Sequence, residues 1–273
     1  MNILFCGDAN IEKGLYLSVM SLLAHNEETF KIYVMTAELK TEERLYKPLK
    51  KETLVRLEEY MKSFNHQNEL TLIDITEVFA KEIPEQNINT RFTPLCMLRL
   101  FADKVADIPD KILYLDNDVL CRGCIGEFYH QDISEVEYVG VLDHYGSWFF
   151  RERMFKRDYV NSGVLLLNMK KIRETGLFTR CRKACRDKKM FMPDQTALNK
   201  LVVSKGYAER GYNEQRRLHG NTVLQHFTTS FRLFPVFHSV TVKPWQFEKV
   251  HKVLKLNEYD GLFEKYKEIV NDE

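Results

Sequence analysis

A strongly apolar strand runs straight into two acids in the stretch Lys111-Ile112-Leu113-Tyr114-Leu115-Asp116-Asn117-Asp118-Val119-Leu120. The side chains of Asp116 and Asp118 face the same way, so together they can clamp one divalent cation, because Mg²⁺ and Mn²⁺ favour carboxylate and phosphate oxygens. Such a pair between apolar residues is costly to bury unless a cation or hydrogen-bond donors compensate it. The stretch therefore predicts a metal site at the end of a strand, and a solvated turn is the alternative.

Strand-like and helix-like segments alternate along most of the chain. Apolar runs typical of strands occur at Asn2–Cys6, Lys31–Thr36, Leu70–Ile75, Lys111–Leu115, Tyr138–Leu142 and Val164–Leu167. Helical patterns lie at residues 54–64, Cys96–Val105, Thr179–Lys189 and Gln195–Ser204. This alternation predicts a single open α/β domain with a mainly parallel sheet and covering helices. In such a fold the ligand crevice lies at the carboxyl ends of the strands.

Composition limits the class of protein. The chain has 273 residues, of which 44% are hydrophobic, and this is enough to bury a full core. Its 40 lysines and arginines nearly balance its 39 acids, so the formal charge is +1 and no global field indicates a nucleic acid partner. Met1 leads directly into a strand-like run, without the basic start and long apolar stretch of a signal peptide, and we expect a cytoplasmic location.

The six cysteines leave a non-enzymatic alternative open. Four of them form two close pairs, Cys121 with Cys124 and Cys181 with Cys185. Short spacings of this kind can supply thiolates to a tetrahedral zinc ion, so a zinc-bound scaffold is one alternative. Reduced, buried cysteines are the commoner outcome, and we expect no disulfides in a reducing compartment.

Short polar segments follow or open several of the predicted elements. Gly7-Asp8-Ala9-Asn10 follows the first strand, where a sheet-end crevice would receive a base or ribose, although a plain turn or helix N-cap would use the same residues. Asn161-Ser162-Gly163 opens the strand Val164–Leu167, and Pro193-Asp194-Gln195 opens a helix for which Asp194 could be the N-cap. From these positions short polar side chains can reach into a cleft.

Two histidines compete for a place beside the acids. His238 precedes Lys243 by five residues, so a possible metal ligand lies near a cation that could hold phosphate. His226 lies 17 residues before Lys243 and is the competing candidate. We expect His238 to be the ligand because it is closer to Lys243 in the chain.

The motifs taken together resemble glycosyltransferase family 8, the retaining nucleotide-sugar enzymes that include bacterial galactosyl- and glucosyltransferases and glycogenin. The matching elements run in the family's order and span residues 3 to 245. They are Phe5-Cys6-Gly7-Asp8-Ala9-Asn10, Met97-Leu98-Arg99-Leu100, Leu113-Tyr114-Leu115-Asp116-Asn117-Asp118, Asn161-Ser162-Gly163-Val164-Leu165, Asp194-Gln195 and Lys243-Pro244-Trp245. The chain departs from the family between His238 and Lys243, where the family usually has a separation of six residues and a glycine.

The resemblance implies a GT-A fold and a role for each matching residue. We expect the GT-A domain to cover residues 1–245 and a C-terminal helical extension to cover residues 246–273. The residues implied to bind the nucleotide donor are Asp8, Asn10, Arg99 and Lys243. The residues implied to bind Mn²⁺, or Mg²⁺, are Asp116, Asp118 and His238. The residues implied to surround the donor sugar are Asp143, Asn161, Asp194 and Gln195.

The implied reaction moves glucose or galactose from a uridine diphosphate (UDP) sugar to a glycan or lipid-linked acceptor, with retention of configuration. Lys243 and the metal would stabilise charge on the leaving diphosphate while the sugar passes through an oxocarbenium-like state. If a covalent nucleophile exists, Asp194 is the available carboxylate; otherwise the acceptor attacks from the leaving-group face and Gln195 positions the sugar. The leading alternative enzyme is a metal-dependent nucleotidyl- or phosphoryl-transfer enzyme, although no glycine-rich phosphate loop is visible.

Two basic clusters bear on the acceptor. Arg151–Arg157 and Arg180–Lys189 could dock on a membrane that carries a lipid-linked acceptor, which would place a peripheral protein at the inner face of the membrane. A solvated helix face is the more ordinary role of such a charge run.

Overall fold

The computed structural model describes residues 1–89, 93–144, 158–232 and 238–271. The strands are β1 (Asn2–Cys6), β2 (Lys31–Thr36), β3 (Leu39–Lys40), β4 (Leu45–Tyr46), β5 (Glu69–Asp74), β6 (Lys111–Leu115), β7 (Val119–Cys121), β8 (Tyr138–Leu142), β9 (Val160–Asn168), β10 (Lys205–Tyr207), β11 (Leu224–His226), β12 (Ser230–Arg232) and β13 (His238–Val240). The α-helices are α1 (Glu12–His25), α2 (Val55–Phe64), α3 (Thr76–Ala80), α4 (Gly126–His130), α5 (Met169–Thr175), α6 (Leu177–Asp187), α7 (Pro193–Leu201), α8 (Phe247–Lys249) and α9 (Asp260–Asn271). The 3₁₀ segments are Ala9–Ile11, Lys51–Leu54, Glu85–Asn87, Pro94–Lys104 and Arg210–Asn213, and Val250–Leu254 is a π turn.

Seven of the strands in the described residues form the central sheet, in the order β10-β8-β9-β6-β1-β2-β5. All neighbouring strands are parallel except at β9, which is antiparallel to both β6 and β8. Because β9 runs the other way, its first residues lie at the edge where β6 and β8 end. There the Asp116 N–H donates to the carbonyl of Gly163 across 2.8 Å. The predicted α/β fold with a mainly parallel sheet is confirmed.

Helices cover both faces of the sheet, and the alternation of β1 shows why. Ile3 and Phe5 point into one core cluster, while Leu4 and Cys6 point into the other. The first cluster packs against α1, α2, α4 and α9, and the second packs against α5, α6, α7 and the 3₁₀ segment Pro94–Lys104. A strand that is apolar on both sides therefore needs two helical layers, as the sequence pattern predicts.

Most predicted boundaries agree with the structure, and the exceptions are informative. The run predicted as a helix at Cys96–Val105 is a 3₁₀ helix, which begins at Pro94 with the side chain of Thr93 accepting from the Leu95 N–H across 3.4 Å. The strand predicted at Val164–Leu167 begins at Val160, so residues 161–163 lie within β9 rather than before it.

The C-terminal helix packs onto the sheet-covering helices. The ring of Tyr266 in α9 meets the ring of Tyr16 in α1 edge to face at a centroid distance of 6.1 Å. Arg56 in α2 donates to the carbonyl of Val270 across 2.9 Å. The boundary expected at residue 245 stays a prediction. Among the described residues, no helix has the length and apolar character needed to cross a membrane.

Helix α1 touches the loop of the two acids at a glycine. A Cβ added at Gly14 would lie 2.3 Å from the carbonyl oxygen of Asn117 and 2.8 Å from the ring of Trp245. Any larger residue at position 14 would thus push the helix away from the residue between Asp116 and Asp118.

We expect Gly14→Ala to lower the free energy of unfolding by about 1–3 kcal/mol, because it overpacks a closed contact. Gly261→Ala in α9 is the matched control, since no atom lies within 4 Å of a Cβ there. Helix propensity alone should make that control neutral or more stable by up to roughly 1 kcal/mol. Urea unfolding measures both, and a more stable Gly14→Ala variant would contradict the contact.

Candidate active site

Two acids and a histidine converge at the end of β6. Antiparallel pairing of β7 with β11 places His226 opposite Val119, the residue that follows Asp118. The Nε2 atom of His226 lies 3.2 Å from Oδ1 of Asp118 and 3.7 Å from Oδ2 of Asp116. In the part of the chain that the structure describes, this is the group of three potential ligands whose donor atoms all lie within 4.8 Å of one another.

Asp118 is buried but carries two cationic partners. Its Oδ2 accepts a hydrogen bond from the ammonium of Lys243, and its Oδ1 faces His226. Burial raises the pKa of Asp118, but the charges of Lys243 and His226 more than offset it and hold that pKa below the ordinary value. Burial likewise lowers the pKa of His226, while Asp118 raises it to a net value above the ordinary one. In the absence of another cation, protein groups therefore neutralise this carboxylate.

Asp116 is neutralised from the opposite side by Arg99. The guanidinium donates to Oδ1 of Asp116 across 2.8 Å, and the hydroxyl of Tyr114 donates to the same oxygen across 2.6 Å. Arg99 also lies over the ring of Tyr114, 4.1 Å from its centroid. The second oxygen of Asp116 is thus the one that points towards His226.

Arg99 also contacts a further acid, Asp194, and so links it to the candidate metal site. Its Nε lies 3.3 Å from Oδ2 of Asp194 and also donates to the carbonyl of Cys96, while its Nη1 donates to the carbonyl of Ser162. Asp194 lies in the first turn of α7, where the N-cap position belongs to Met192. The N-cap role considered for Asp194 is therefore wrong, and its carboxylate is aimed at the cleft instead.

A second polar cluster surrounds Asp143 just after β8. Its Oδ2 accepts from the side-chain amides of Asn161 and Gln195, across 3.0 Å and 2.9 Å. Ser162 donates its backbone N–H to Gln195 across 2.9 Å, and its hydroxyl lies 3.3 Å from Asp194. All five side chains are buried, so the four predicted sugar-binding residues form one connected network.

One cavity of about 170 Å³ joins the two clusters. Its lining residues are Cys96, Arg99, Asp116, Asp118, Asn161, Ser162, Gly163, Met192, Asp194, Gln195, His226, Thr228, Thr229 and Lys243. Burial raises the pKa of the Cys96 thiol, with a further increase from Asp194, so this lining cysteine is a neutral thiol. Acids, cations and amides thus face a single space.

The predicted nucleotide residues Asp8 and Asn10 follow β1 at the same sheet edge but do not line this cavity. Asp8 caps the 3₁₀ turn Ala9–Ile11 by accepting the Asn10 N–H across 3.3 Å, and it also accepts from the Asn10 side chain across 2.5 Å. The turn role weighed for this segment is therefore present in the structure. Contact with uridine stays a prediction.

His238 is not brought to the acids. It lies on the exposed strand β13, outside the cluster of potential ligands, whereas His226 ends β11 beside Asp118. We therefore replace the expected ligand His238 by His226. The physical reason is strand pairing: the hairpin of β12 and β13 lies between His226 and Lys243, and a 2.9 Å contact between the hydroxyls of Thr229 and Thr241 closes its base.

The sequence contained an indication of His226, but the short separation of His238 from Lys243 favoured the other histidine. The apolar residues Val223, Leu224 and Phe227 lie around His226, and a hairpin after His226 lengthens the chain to Lys243 without separating the two residues in space. Asn213 and the threonines at 228 and 229 were also missed, because isolated polar residues in loops carry no pattern of their own.

The paired cysteines do not form a common site. Cys121 lies in the core on one face of the sheet and Cys181 and Cys185 lie in the core on the other, while Cys124 is exposed. The zinc-scaffold alternative therefore finds no support in the described residues.

Two carboxylates and one imidazole fit a divalent metal. Mn²⁺ accepts both oxygen and nitrogen ligands, whereas Mg²⁺ prefers oxygen, so this donor set suits Mn²⁺ better. Fold and site together define an α/β protein with a candidate divalent-metal centre at the carboxyl edge of its sheet.

Comparison with known proteins agrees with this class. The family model "Glycosyl transferase family 8" matches residues 2–249. The chain is 25% identical over 227 residues to a lipopolysaccharide 1,3-galactosyltransferase of Salmonella typhimurium, covering 78% of this chain and 63% of that protein. It is 23% identical over 302 residues to a lipopolysaccharide 1,2-glucosyltransferase of Escherichia coli, covering 96% of this chain and 84% of that protein. The chain thus spans less than two thirds of the first relative.

Solved structures support the fold. The galactosyltransferase LgtC, crystallised with donor and acceptor sugar analogues, superposes with a TM-score of 0.70 at 19% identity, covering 99% of this chain and 95% of that one. The glycosyltransferase GlyE of Streptococcus pneumoniae gives a TM-score of 0.64 at 18% identity over 97% and 63% of the two chains. The chain belongs to glycosyl transferase family 8. The predicted family is confirmed.

We expect Arg99→Ala to lower the free energy of unfolding by about 3–5 kcal/mol, because it leaves the buried carboxylate of Asp194 and the partly buried carboxylate of Asp116 without their shared cation. Arg186→Ala is the control, since the side chains of Arg186 and its partner Asp187 are 46% and 43% exposed. That exposed pair should contribute roughly 0–1 kcal/mol. Equal losses in chemical denaturation would show that Arg99 does not stabilise the acids.

Proposed function

We propose that this chain transfers a hexose, glucose or galactose, from a UDP-sugar to a glycan or lipid-linked acceptor, with retention of configuration and with Mn²⁺ as cofactor. The observation that carries the proposal is the single cavity lined both by the Asp116, Asp118, His226 and Lys243 group and by the Asp194 and Gln195 network. The first group suits a metal-bound diphosphate, and the second suits the hydroxyl groups of a sugar. The relatives named above move galactose or glucose onto lipopolysaccharide, and this supports both the sugar and the acceptor class.

Lys243 is the partly exposed cation of the half of the cavity that would hold the diphosphate. Its ammonium contacts Asp118, and its side chain is 30% exposed. A diphosphate in the cavity can therefore replace Asp118 as its partner at little desolvation cost. When bound, Mn²⁺ would neutralise charge on the departing diphosphate and so lower the barrier for its departure.

The sugar half offers fixed acceptors and donors around a carboxylate. Asn161 and Gln195 are locked by their hydrogen bonds to Asp143, so their remaining polar atoms have defined directions. Asp194 is held by Arg99 and Ser162 and would face the donor sugar. It would stabilise an oxocarbenium-like transition state or attack it directly, and in the alternative the acceptor attacks from the leaving-group face while Gln195 positions the sugar.

Membrane docking through the two basic clusters receives little support. Residues 151–157 lie outside the described residues. In the second cluster Arg182 is buried and donates to Asp103 and Glu82 across 2.5 Å and 2.8 Å, so it serves the core rather than a surface. A peripheral membrane location, like the cytoplasmic one, stays a prediction.

With Mn²⁺ present and no acceptor, we expect the protein to release UDP slowly from UDP-glucose or UDP-galactose, and chelation of the metal should stop the release. Asp118→Asn keeps the shape of the side chain but removes its charge, and should lower the rate by roughly 10²–10³-fold, the cost of losing a group that stabilises developing charge. Asp187→Asn, at an exposed acid in α6, is the matched control. Equal turnover of ADP-glucose, or full activity in Asp118→Asn, would contradict the proposal.

A second test separates the two histidines. His226→Ala should weaken Mn²⁺ binding at least about tenfold, because it removes a direct ligand rather than an outer partner. His238→Ala should leave the affinity nearly unchanged. Mn²⁺ titration of each variant in the presence of UDP, followed by electron paramagnetic resonance, measures both. A larger loss in His238→Ala would restore the ligand favoured by chain spacing.

A further inference from the structure

We propose that Asn213 is a positioning residue that keeps a proton on Nδ1 of His226 and thereby leaves Nε2 free for a metal. Asn213 ends the 3₁₀ turn Arg210–Asn213 and is completely buried. Its side chain makes hydrogen bonds with Asn161 and His226, and its backbone carbonyl accepts from Gln215. The affinity test below rests on the proposed metal site, whereas the position of the proton on His226 is measured without metal.

One hydrogen bond of the Asn161 side chain has a certain direction, because its donor is a backbone N–H. The Gly163 N–H donates to Oδ1 of Asn161 across 2.9 Å, and a backbone N–H can only donate. The oxygen of the Asn161 side chain must therefore face Gly163, and its nitrogen must face Asp143, 3.0 Å away. This assignment gives Asp143 a donor, as a carboxylate requires.

A second backbone group fixes the same network independently. The Ser162 N–H donates to Oε1 of Gln195 across 2.9 Å, so the nitrogen of Gln195 faces Asp143 at 2.9 Å. Two amide nitrogens then meet one carboxylate oxygen. Reversing either amide would bring two oxygens together, so the orientation of Asn161 is determined from both ends.

The orientation of Asn213 follows from that of Asn161. Because Asn161 presents an oxygen, the atom of Asn213 that lies 3.0 Å from it must be the nitrogen. The oxygen of Asn213 therefore faces Nδ1 of His226 at 3.1 Å. An amide oxygen can only accept, so Nδ1 must carry a hydrogen. When the imidazolium gives up its second proton, the lone pair is therefore on Nε2, the atom nearest Asp116 and Asp118.

Close packing against Gly163 keeps the imidazole of His226 in this orientation. A Cβ at Gly163 would lie 2.2 Å from Cε1 and 2.8 Å from Nδ1 of His226, so the imidazole fills the space that a side chain would need. Without the oxygen of Asn213, the buried Nδ1–H would lose its acceptor. The proton would then favour Nε2, where Asp118 accepts it, and the lone pair would point away from the acids. Metal-binding histidines commonly depend on such an outer partner for their tautomer.

Three variants test the role. Asn213→Leu removes the acceptor and should lower Mn²⁺ affinity roughly 10–100-fold. Asn213→Asp keeps an oxygen facing Nδ1 and should retain most of the affinity, while its second oxygen faces Oδ1 of Asn161 and should lower the melting temperature. The matched control is Asn68→Leu, at a buried amide that makes two backbone hydrogen bonds of 2.7 Å and 2.8 Å. It should lower the melting temperature but leave Mn²⁺ binding unchanged.

The tautomer itself is measured on metal-free protein by ¹⁵N–¹H correlation of the histidine rings. We expect an exchange-protected Nδ1–H for His226 in the wild type and in Asn213→Asp, and its loss in Asn213→Leu. An unprotonated Nδ1 in the wild type, or affinity losses in all three variants that follow only their melting temperatures, would overturn the inference. A protonated Nδ1 in a protein that binds no Mn²⁺ would uphold the tautomer and refute the proposed metal dependence instead.

Discussion

The guanidinium of Arg99 is the group on which the rest of the site depends. Three acids lie around one small cavity, and their mutual repulsion in a buried setting would be severe if no cation separated them. Arg99 sits between Asp116 and Asp194 and is itself held by two backbone carbonyls and by the ring of Tyr114. Burial opposes its charge, but the surrounding acids keep its pKa well above the ordinary value, so it remains a permanent cation. Two of the cavity's acids, Asp116 and Asp194, therefore have a fixed cationic partner before any ligand arrives.

The direction of β9 explains how distant segments reach that cavity. Parallel strands deliver only the residues that follow them, such as Asp116 after β6 and Asp143 after β8. The reversed strand delivers the residues with which it begins, and its pleat sends Ser162 to Asp194 and Gln195 while Asn161 and Gly163 face Asn213 and His226. One three-residue segment thereby serves both halves of the site, and a shift in its register would disrupt the two together.

The sequence predicted those features that depend on periodicity or on a local order of residues. Strands β1, β2, β6 and β8 have the predicted bounds, and the acid pair, Arg99, Asn161, Asp194, Gln195 and Lys243 all line the cavity. What could not be predicted depends on pairing between distant segments. The partner of Asp118 was chosen by nearness in the chain, but β7 and β11 bring in His226 by their antiparallel register. Asn213 was invisible for the same reason, because its role exists only through Asn161 and His226.

Because a hairpin lies between His226 and Lys243, the number of residues between them does not determine how far apart they lie in space. The base of this hairpin is closed by the threonines at 229 and 241, so residues added or removed beyond that closure need not move either functional group. The length of the hairpin beyond Thr229 and Thr241 can therefore vary between relatives as in any surface loop. Residues inserted there would add surface without changing the candidate metal site. A search pattern that demands a fixed interval between the histidine and the lysine will overlook chains built in this way, whereas one that seeks a strand-ending histidine opposite the second acid will find them.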